Sequence, residues 1–319
     1  VGRGAGNISS NTSIGYGSLQ SNTTGYENTA NGYNALRSNT TGFENTANGY
    51  NSLYSNTTGY LNIATGNYSL YSNTTGNLNT ATGYYSLYSN TTGGSNTATG
   101  FYSLQRNTTG SNNTANGFGS LQRNTTGRDN TANGFFSLYS NTTGGSNTAT
   151  GYSSLYSNTT GGSNTAFGYN SLRNNFTGNN NTAMGYGADV RLDNLTNATA
   201  IGNGAIVNAS NTIKLGNASI DSVVTAGKLK LGTIIYPNTD GTNGQILTTN
   251  GSGVLAWSNP ASLSDSASAL RAKILLDSNA LATNINLKVN ISDTSAMLTN
   301  RFARDTVSLS NRITALNNS

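Results

Sequence analysis

The chain reads SNTTGYENTANGYNALR from Ser21 to Arg37 and continues with SNTTGFENTANGYNSLY from Ser38 to Tyr54. Twelve consecutive units of this 17-residue pattern cover Gly4 to Val207 without an insertion. We call each unit a coil and number its places from 1, the serine that opens SNTTG, to 17, so that Ser21 opens coil 2. Because a constant period over so long a stretch is typical of repeat architectures, the pattern indicates one structural turn per coil.

Several places of the coil hardly vary. Place 12 is glycine in all twelve coils, and place 10 is alanine in every coil except the first, which has Ser13. Place 8 is asparagine in eleven coils, and place 16 is leucine in ten. Strands stacked in register place equivalent residues about 4.8 Å apart. We therefore expect ladders of identical side chains, with amide-to-amide hydrogen bonds up the column that includes Asn28, Asn45 and Asn62.

The coil is too short for a helical hairpin repeat, which needs about 30 residues or more. Its composition favours strands and turns, and we predict two short strands per coil: NTAxG at places 8–12 and xSLY at places 14–17. The leucine column, which includes Leu36, Leu53 and Leu70, is the one continuous apolar seam. Because a single thin coil has little core, we expect this seam to be buried against other copies of the chain. The predicted fold is mainly β, a parallel β-solenoid that associates with other copies of the chain.

Composition excludes several classes of protein. Hydrophobic side chains make up 34% of the 319 residues and charged side chains 8%, and the chain has neither cysteine nor histidine. We therefore expect no metal site, no cofactor and no disulfide framework. The net charge of +5 is not clustered, which argues against nucleic acid as a partner. No apolar run is long enough to insert into a membrane. The chain begins at Val1 without methionine, which suggests a processed or truncated product.

The composition changes after the repeats, so we divide the chain into three parts. Residues 1–207 form the solenoid head, and residues 208–259 form a β collar, with alternating TIKLG, KLKLGTIIY and QILTT segments. Residues 260–319 carry apolar residues at heptad-compatible spacing and are predicted to form a coiled-coil stalk. Within NLKVNISD the apolar residues alternate at period two, which predicts a break in the stalk near 286–292.

The last coils resemble a known family. TAMGYGA and TAIGNGAIV, followed by NASNTIKLGN, are similar to head repeats of the YadA-like trimeric autotransporter adhesins. The GYxSLYSNTTG units that lead into YPNTDGTNGQILTTNGSGVLAW resemble tail-fibre-like proteins of Bacteroidota and their phages. The resemblance implies a homotrimer with a left-handed parallel β-roll head. It also implies an extracellular location, either on a cell surface or as a fibre of a virion or injection apparatus.

Catalysis is not expected. The only glutamates, Glu27 and Glu44, occupy place 7 of successive coils, about one strand spacing apart, where other coils carry leucine, serine or asparagine. A solvated rim explains this column better than a glycosidase pair. The chain therefore lacks an identifiable catalytic residue.

The surface residues favour binding over catalysis. Places 14 and 17 carry aromatic columns suited to stacking on sugar rings or anchoring a protein. The alternative is that these rings only pack as ladders or fill the trimer interface. The candidate contact residues are Tyr54, Tyr68, Tyr71, Tyr85, Tyr88, Tyr102, Phe136, Tyr139 and Tyr156.

We therefore predict a non-enzymatic fibre that binds a cell-surface glycan or protein receptor by multivalent contacts. A purely structural spacer or filament subunit is the alternative. Ice binding is a third hypothesis, disfavoured because NTA offers only one threonine column on its strand. Three short Asp-Ser/Thr segments also resemble an O-glycosylation sequon and make Ser222, Ser266 and Thr306 glycosylation candidates.

Overall fold

The computed structural model describes residues 2–220, 222, 229–237, 239–259, 263–288 and 291–317, without the side chains of 263–267, 284–288 and 291–295. The chain divides into two units, Val1–Asp221 and Ser222–Ser319.

A parallel sheet of thirteen strands runs through the first unit. Each coil contributes its places 9 to 11, and each strand pairs with the same places of the next coil, as Ala30 does with Ala47. Twelve of the strands follow one another at a constant offset of 17 residues, which confirms the predicted parallel β-solenoid of twelve coils. The thirteenth strand, Ile213–Leu215, pairs with Thr199–Ile201 at an offset of 14 residues. The sheet strands are β1 Thr12–Ile14, β2 Thr29–Asn31, β3 Thr46–Asn48, β4 Ile63–Thr65, β5 Thr80–Thr82, β6 Thr97–Thr99, β7 Thr114–Asn116, β8 Thr131–Asn133, β9 Thr148–Thr150, β10 Thr165–Phe167, β11 Thr182–Met184, β13 Thr199–Ile201 and β15 Ile213–Leu215.

The second strand predicted at places 14–17 is absent from coils 1–10, so that prediction is wrong for most of the described solenoid. At place 16 the leucines have φ near +50°, for example +50° at Leu70 and +49° at Leu87, which is left-handed rather than extended backbone. Places 7 and 14 also have positive φ in most coils. The positive-φ residues form tight corners, which allow a coil with only three strand residues to close within 17 residues. Only coils 11 and 12, which lack this leucine, add the short parallel strands β12 Asp189–Val190 and β14 Ile206–Val207.

The leucine column lies inside the coils of a single chain. All ten leucines of place 16 are fully buried, and they belong to one core cluster with the alanines of place 10. The prediction that this seam is buried against other copies is therefore wrong. A coil of this size encloses one large side chain per layer, and the layers above and below cover it.

Two buried asparagine ladders fill most of the remaining interior. At place 8, Asn62 donates from Nδ2 to Asn45 Oδ1 at 3.0 Å and to the Gly76 carbonyl at 2.9 Å. This confirms the predicted amide ladder. At place 2, Asn73 donates in the same way to Asn56 Oδ1 at 2.8 Å and to Gly76 at 2.9 Å, forming a second ladder that the sequence analysis missed. Both columns are buried, and every amide has hydrogen-bond partners. The polar side chains can therefore fill the core without a large desolvation penalty.

Coil 11 replaces the core leucine with Asp189, which is only 5% exposed. Its carboxylate accepts hydrogen bonds from the Val190 N–H at 2.8 Å and from Asn174 Nδ2 at 2.9 Å. Burial raises the pKa of this carboxyl from 3.8 to about 6, although those hydrogen bonds and the nearby Arg173 charge act in the opposite direction.

We expect Asp189→Asn to stabilise the protein above pH 6 and to leave it unchanged below pH 4. The folded-state pKa lies above the unfolded one, so the contribution of Asp189 to stability is fully present at low pH and is lost as pH rises through about 6. The gain at pH 7.5 should be about 3 kcal/mol. Guanidinium unfolding of both proteins between pH 3.5 and pH 8 measures it, and a difference independent of pH would contradict this account.

The second unit contains two β-hairpins and two helices. Strands β16 Lys230–Leu231 and β17 Ile234–Ile235 pair antiparallel, as do β18 Ile246–Thr249 and β19 Leu255–Ser258. The helices are α1 Leu263–Lys288 and α2 Ile291–Asn317, and the break predicted near 286–292 falls partly on residues outside the described part of the chain. No helix in the described part of the chain is apolar enough over a sufficient length to cross a bilayer.

Candidate binding faces of the solenoid

The nine predicted contact residues lie together on one side of the solenoid, and all are half-buried. At place 17, Tyr54, Tyr71 and Tyr88 stack with ring centroids 5.1 Å apart at each step. Tyr139 and Tyr156 form a second stack at 5.2 Å. The place 14 rings pack against the place 17 stacks and against one another. The contacting pairs are Tyr68–Tyr71, Tyr85–Tyr88, Tyr85–Tyr102 and Phe136–Tyr139.

A third aromatic column, at place 13, is more exposed and was missed by the sequence analysis. Its rings stack at 5.0 to 5.5 Å wherever two consecutive coils carry them. Most members are about 40% exposed, as Phe101 and Phe135 are. The signal was available, since place 13 is aromatic in ten of twelve coils. The members are Tyr16, Tyr33, Tyr50, Tyr84, Phe101, Phe118, Phe135, Tyr152, Tyr169 and Tyr186.

Places 13, 14 and 17 form one surface, which we call the aromatic face. Adjacent rings along the chain bridge the columns, with centroids 4.4 Å apart for Tyr84–Tyr85 and 4.3 Å apart for Phe101–Tyr102. Where Asn67 interrupts place 13, the ring of Tyr68 contacts Tyr50 at 5.3 Å and keeps the surface aromatic.

Stacking decides which part of each ring a partner could reach. Consecutive rings of place 13 are nearly parallel, with interplanar angles of 3° for Phe101–Phe118 and 2° for Phe135–Tyr152. Each ring therefore covers the faces of its neighbours, and edges and hydroxyl groups form the accessible surface. The predicted stacking of sugars on ring faces is thus restricted to the ends of the ladders.

Arginine and glutamine occupy the ends of the place 17 stacks. The guanidinium of Arg37 lies 5.7 Å from the Tyr54 ring and donates to its hydroxyl at 3.2 Å, and that of Arg173 lies 5.7 Å from the Tyr156 ring. Burial, followed by the neighbouring tyrosines, raises the pKa of Tyr71 within the first stack. The Tyr71 phenol is therefore neutral near pH 7.

Places 9 and 11 point away from the core on the opposite side of each strand from the buried alanine, and we call this surface the sheet face. No coil carries a charge at either place. Place 11 is also outward, so threonines pair on one strand in Thr80/Thr82, Thr97/Thr99 and Thr148/Thr150. The argument that the strand offers one threonine column is therefore wrong. The pairs do not form a regular array, because asparagine takes place 11 in coils 2, 3, 7 and 8.

The sheet face becomes apolar towards its last coils. Phe167, Met184, Ile201 and Leu215 pair in direct register and are all exposed in the single chain. They form an unbroken apolar column at the end of a surface that elsewhere carries mostly threonine and asparagine.

Four of the other predicted positions are exposed: Glu27, Glu44, Ser222 and Thr306. Glu27 and Glu44 are exposed at a positive-φ corner, and no group of three acidic, histidine or cysteine residues suited to a metal occurs within the described residues. Ser222 is exposed, and Thr306 is exposed but donates to the Phe302 carbonyl at 2.6 Å. The side chain of Ser266 lies outside the described part.

Comparison with protein-family models and with curated proteins gives no match to this chain.

Proposed function

We propose that the chain is a non-enzymatic subunit of a trimeric extracellular fibre that binds a cell-surface glycan or protein by repeated contacts along its aromatic face. The observation that carries the proposal is the exposed place 13 ladder, which offers an equivalent aromatic edge at about 5 Å intervals on a rigid support. Exposed, aligned aromatic side chains are the residues most enriched in binding surfaces.

Repetition can convert poor contacts into useful affinity. A single contact worth about 4 kcal/mol gives a Kd near 1 mM. When a second contact forms on the same rigid body, avidity can exceed the single affinity by about 10² to 10⁴ without any new kind of interaction. A rod whose coils are held by continuous hydrogen-bonded ladders presents such contacts at fixed spacing, so little ordering is needed on binding.

Trimer formation is supported by two apolar surfaces of the single chain. On the sheet face, the Phe167–Leu215 column is uncharged and exposed. In the helices, Leu270, Ile274, Phe302 and Leu309 are all exposed, with heptad spacing between Phe302 and Leu309.

Replacing five place 13 rings tests the binding function. The variant changes Tyr84, Phe101, Phe118, Phe135 and Tyr152 to asparagine, the residue that coils 4 and 12 already carry there, so the fold should persist. We expect binding to cells or to an immobilised glycan panel to fall at least 100-fold, measured by flow cytometry and array fluorescence, because five of the ten rings, including the middle of the ladder, are removed.

The matched control changes the exposed place 4 threonines of coils 5 to 9 to asparagine, as coil 1 has at Asn7. It should bind as the parent does. Circular dichroism and light scattering verify the fold and the mass of both variants. A parent protein that binds no cell and no glycan contradicts the proposal.

A structural spacer is the second candidate function, and one observation favours it. Because the stacked rings cover one another, each ring buries part of its neighbours' surface, and this stacking stabilises the rod without a ligand. In that case the place 13 variant loses thermal stability and the parent shows no binding.

A further inference from the structure

The aromatic face is interrupted at one position, in coils 6 to 8. There the place 17 tyrosine becomes Gln105 and Gln122 in successive coils, and the serine that follows becomes Arg106 and Arg123. Each glutamine is followed directly by an arginine, so the two changes occur together at 105–106 and again at 122–123. The core residues of these coils are unchanged. A structural requirement does not explain them, because the coils on either side fold with tyrosine and serine.

The interruption opens the only inner gap in the place 17 ladder. Tyr88 ends one stack and Tyr139 begins the next, so they lie three coil spacings, about 14 Å, apart. In the same stretch place 14 is Gly119, and the Phe136 ring leans over it so closely that an added Cβ would lie 2.5 Å from the ring. We call this polar gap, which lies between Tyr88 and Tyr139 and beside Phe136, the notch.

Glutamines form the floor of this notch. Gln122 Nε2 donates to Gln105 Oε1 at 2.7 Å, which fixes the two amides relative to each other. Gln105 Nε2 has no hydrogen-bond partner within the described residues, and both side chains are half-buried. A pair of amides held in this way presents a donor and an acceptor suited to the hydroxyl groups of a sugar.

Two arginines form the rim. Arg106 and Arg123 are exposed and stand in register on consecutive coils, and neither makes an ion pair within the described chain. Arg123 lies over the Tyr139 ring with its guanidinium carbon 4.8 Å from the ring centroid. The nearest acidic residue in sequence, Asp129, is at place 7, where it accepts from Asn112 Nδ2 at 3.0 Å. The rim therefore carries two positive charges that no acidic side chain of the described residues pairs, and guanidinium groups bind carboxylates through two N–H donors.

We infer that this notch is a binding site for an acidic oligosaccharide. The carboxylates of uronic acid residues would pair with Arg106 and Arg123, ring hydroxyls with the Gln105–Gln122 pair, and the apolar sugar faces with Tyr88 and the neighbouring aromatic edges. The inference rests on the proposed function and gives it a chemical class: an acidic polysaccharide on the surface to which the fibre adheres.

Calorimetric titration of the full chain with hexagalacturonate tests the site. The matched probe is the same hexasaccharide with every carboxylate methyl-esterified, which keeps the sugar rings and removes the charge. We expect one site per chain for the acid, weakened by added salt, and at least a tenfold weaker affinity for the ester.

The variant R106S/R123S restores the serine of the neighbouring coils, so its fold should be secure. Its affinity for hexagalacturonate should be about 100-fold lower than that of the parent. The variant Q105Y/Q122Y restores the tyrosine ladder and should also lose binding, with both arginines still present. The control R37S, at the far end of the ladder, should bind normally.

Equal affinity for the acid and its ester, or unchanged affinity in R106S/R123S, overturns the inference, as does the absence of any binding by the parent. These results are independent of the place 13 test. Cell binding that survives R106S/R123S but not the place 13 variant would leave the proposed function intact and remove only the acidic site.

Discussion

Gly100→Ala should cost about 4 kcal/mol of folding free energy. Gly100 occupies place 12 with φ of +128°, and a Cβ added there would lie 2.6 Å from the carbonyl oxygen of Gly117 in the next coil. The loss combines about 1–3 kcal/mol of backbone strain with about 1–3 kcal/mol of overpacking against backbone that cannot rotate away. Guanidinium unfolding followed by circular dichroism measures it.

Hydrogen exchange locates the damage. Because a solenoid is stabilised by contacts between adjacent coils, amides of coils 6 and 7 should lose protection first, whereas the outer coils keep theirs. The matched control is Gly94→Ser, in the same coil, at a place where coil 7 already has Ser111. It should change stability by no more than about 0.5 kcal/mol. If Gly100→Ala behaves like this control, the coils do not approach as closely at place 12 as the structure indicates.

Leu87→Ala should cost about 4 kcal/mol without changing the oligomeric state. Leu87 is fully buried inside its own chain, and its layer is held by the hydrogen bond from its N–H to the Ser103 carbonyl at 3.0 Å. Leucine-to-alanine changes in cores cost about 2–5 kcal/mol, and the upper part of that range applies where the surroundings cannot collapse into the cavity. A ladder with fixed coil spacing cannot collapse.

Two measurements make this result decisive. Leu78→Ala, at an exposed position with 51% of its surface accessible, should be neutral within about 0.5 kcal/mol and serves as the control. Sedimentation of Leu87→Ala should give the same mass as the parent. A loss of association with little loss of intramolecular stability would show instead that the leucine column joins separate chains.

The two places respond to substitution for different reasons. At place 12 the backbone itself leaves no room, so even one added carbon is too large. At place 16 the leucine is the single large side chain of its layer, so its removal leaves a cavity that asparagine and alanine neighbours cannot fill. Together they explain why a chain with 34% hydrophobic residues can still hold a defined core.

The sequence determined the architecture because a period is visible without coordinates. A fixed 17-residue interval requires equivalent residues to stack, so the coil number, the parallel register and the Asn28–Asn45–Asn62 ladder followed directly. The place 13 aromatic column could equally be seen in the amino-acid sequence. It was overlooked because a nearly constant place suggests packing and a variable one suggests binding.

Only the tertiary structure decided where each column points. The period alone does not reveal that the place 16 backbone is left-handed. This conformation directs the Leu87 side chain into the interior of its own coil and not towards another chain. Nor does the period reveal that places 9 and 11 share one outward surface, or that stacking leaves ring edges as the accessible part of Phe101 and its neighbours. Side-chain direction depends on the φ and ψ angles at the corners, and those angles are set by the closure of the whole coil.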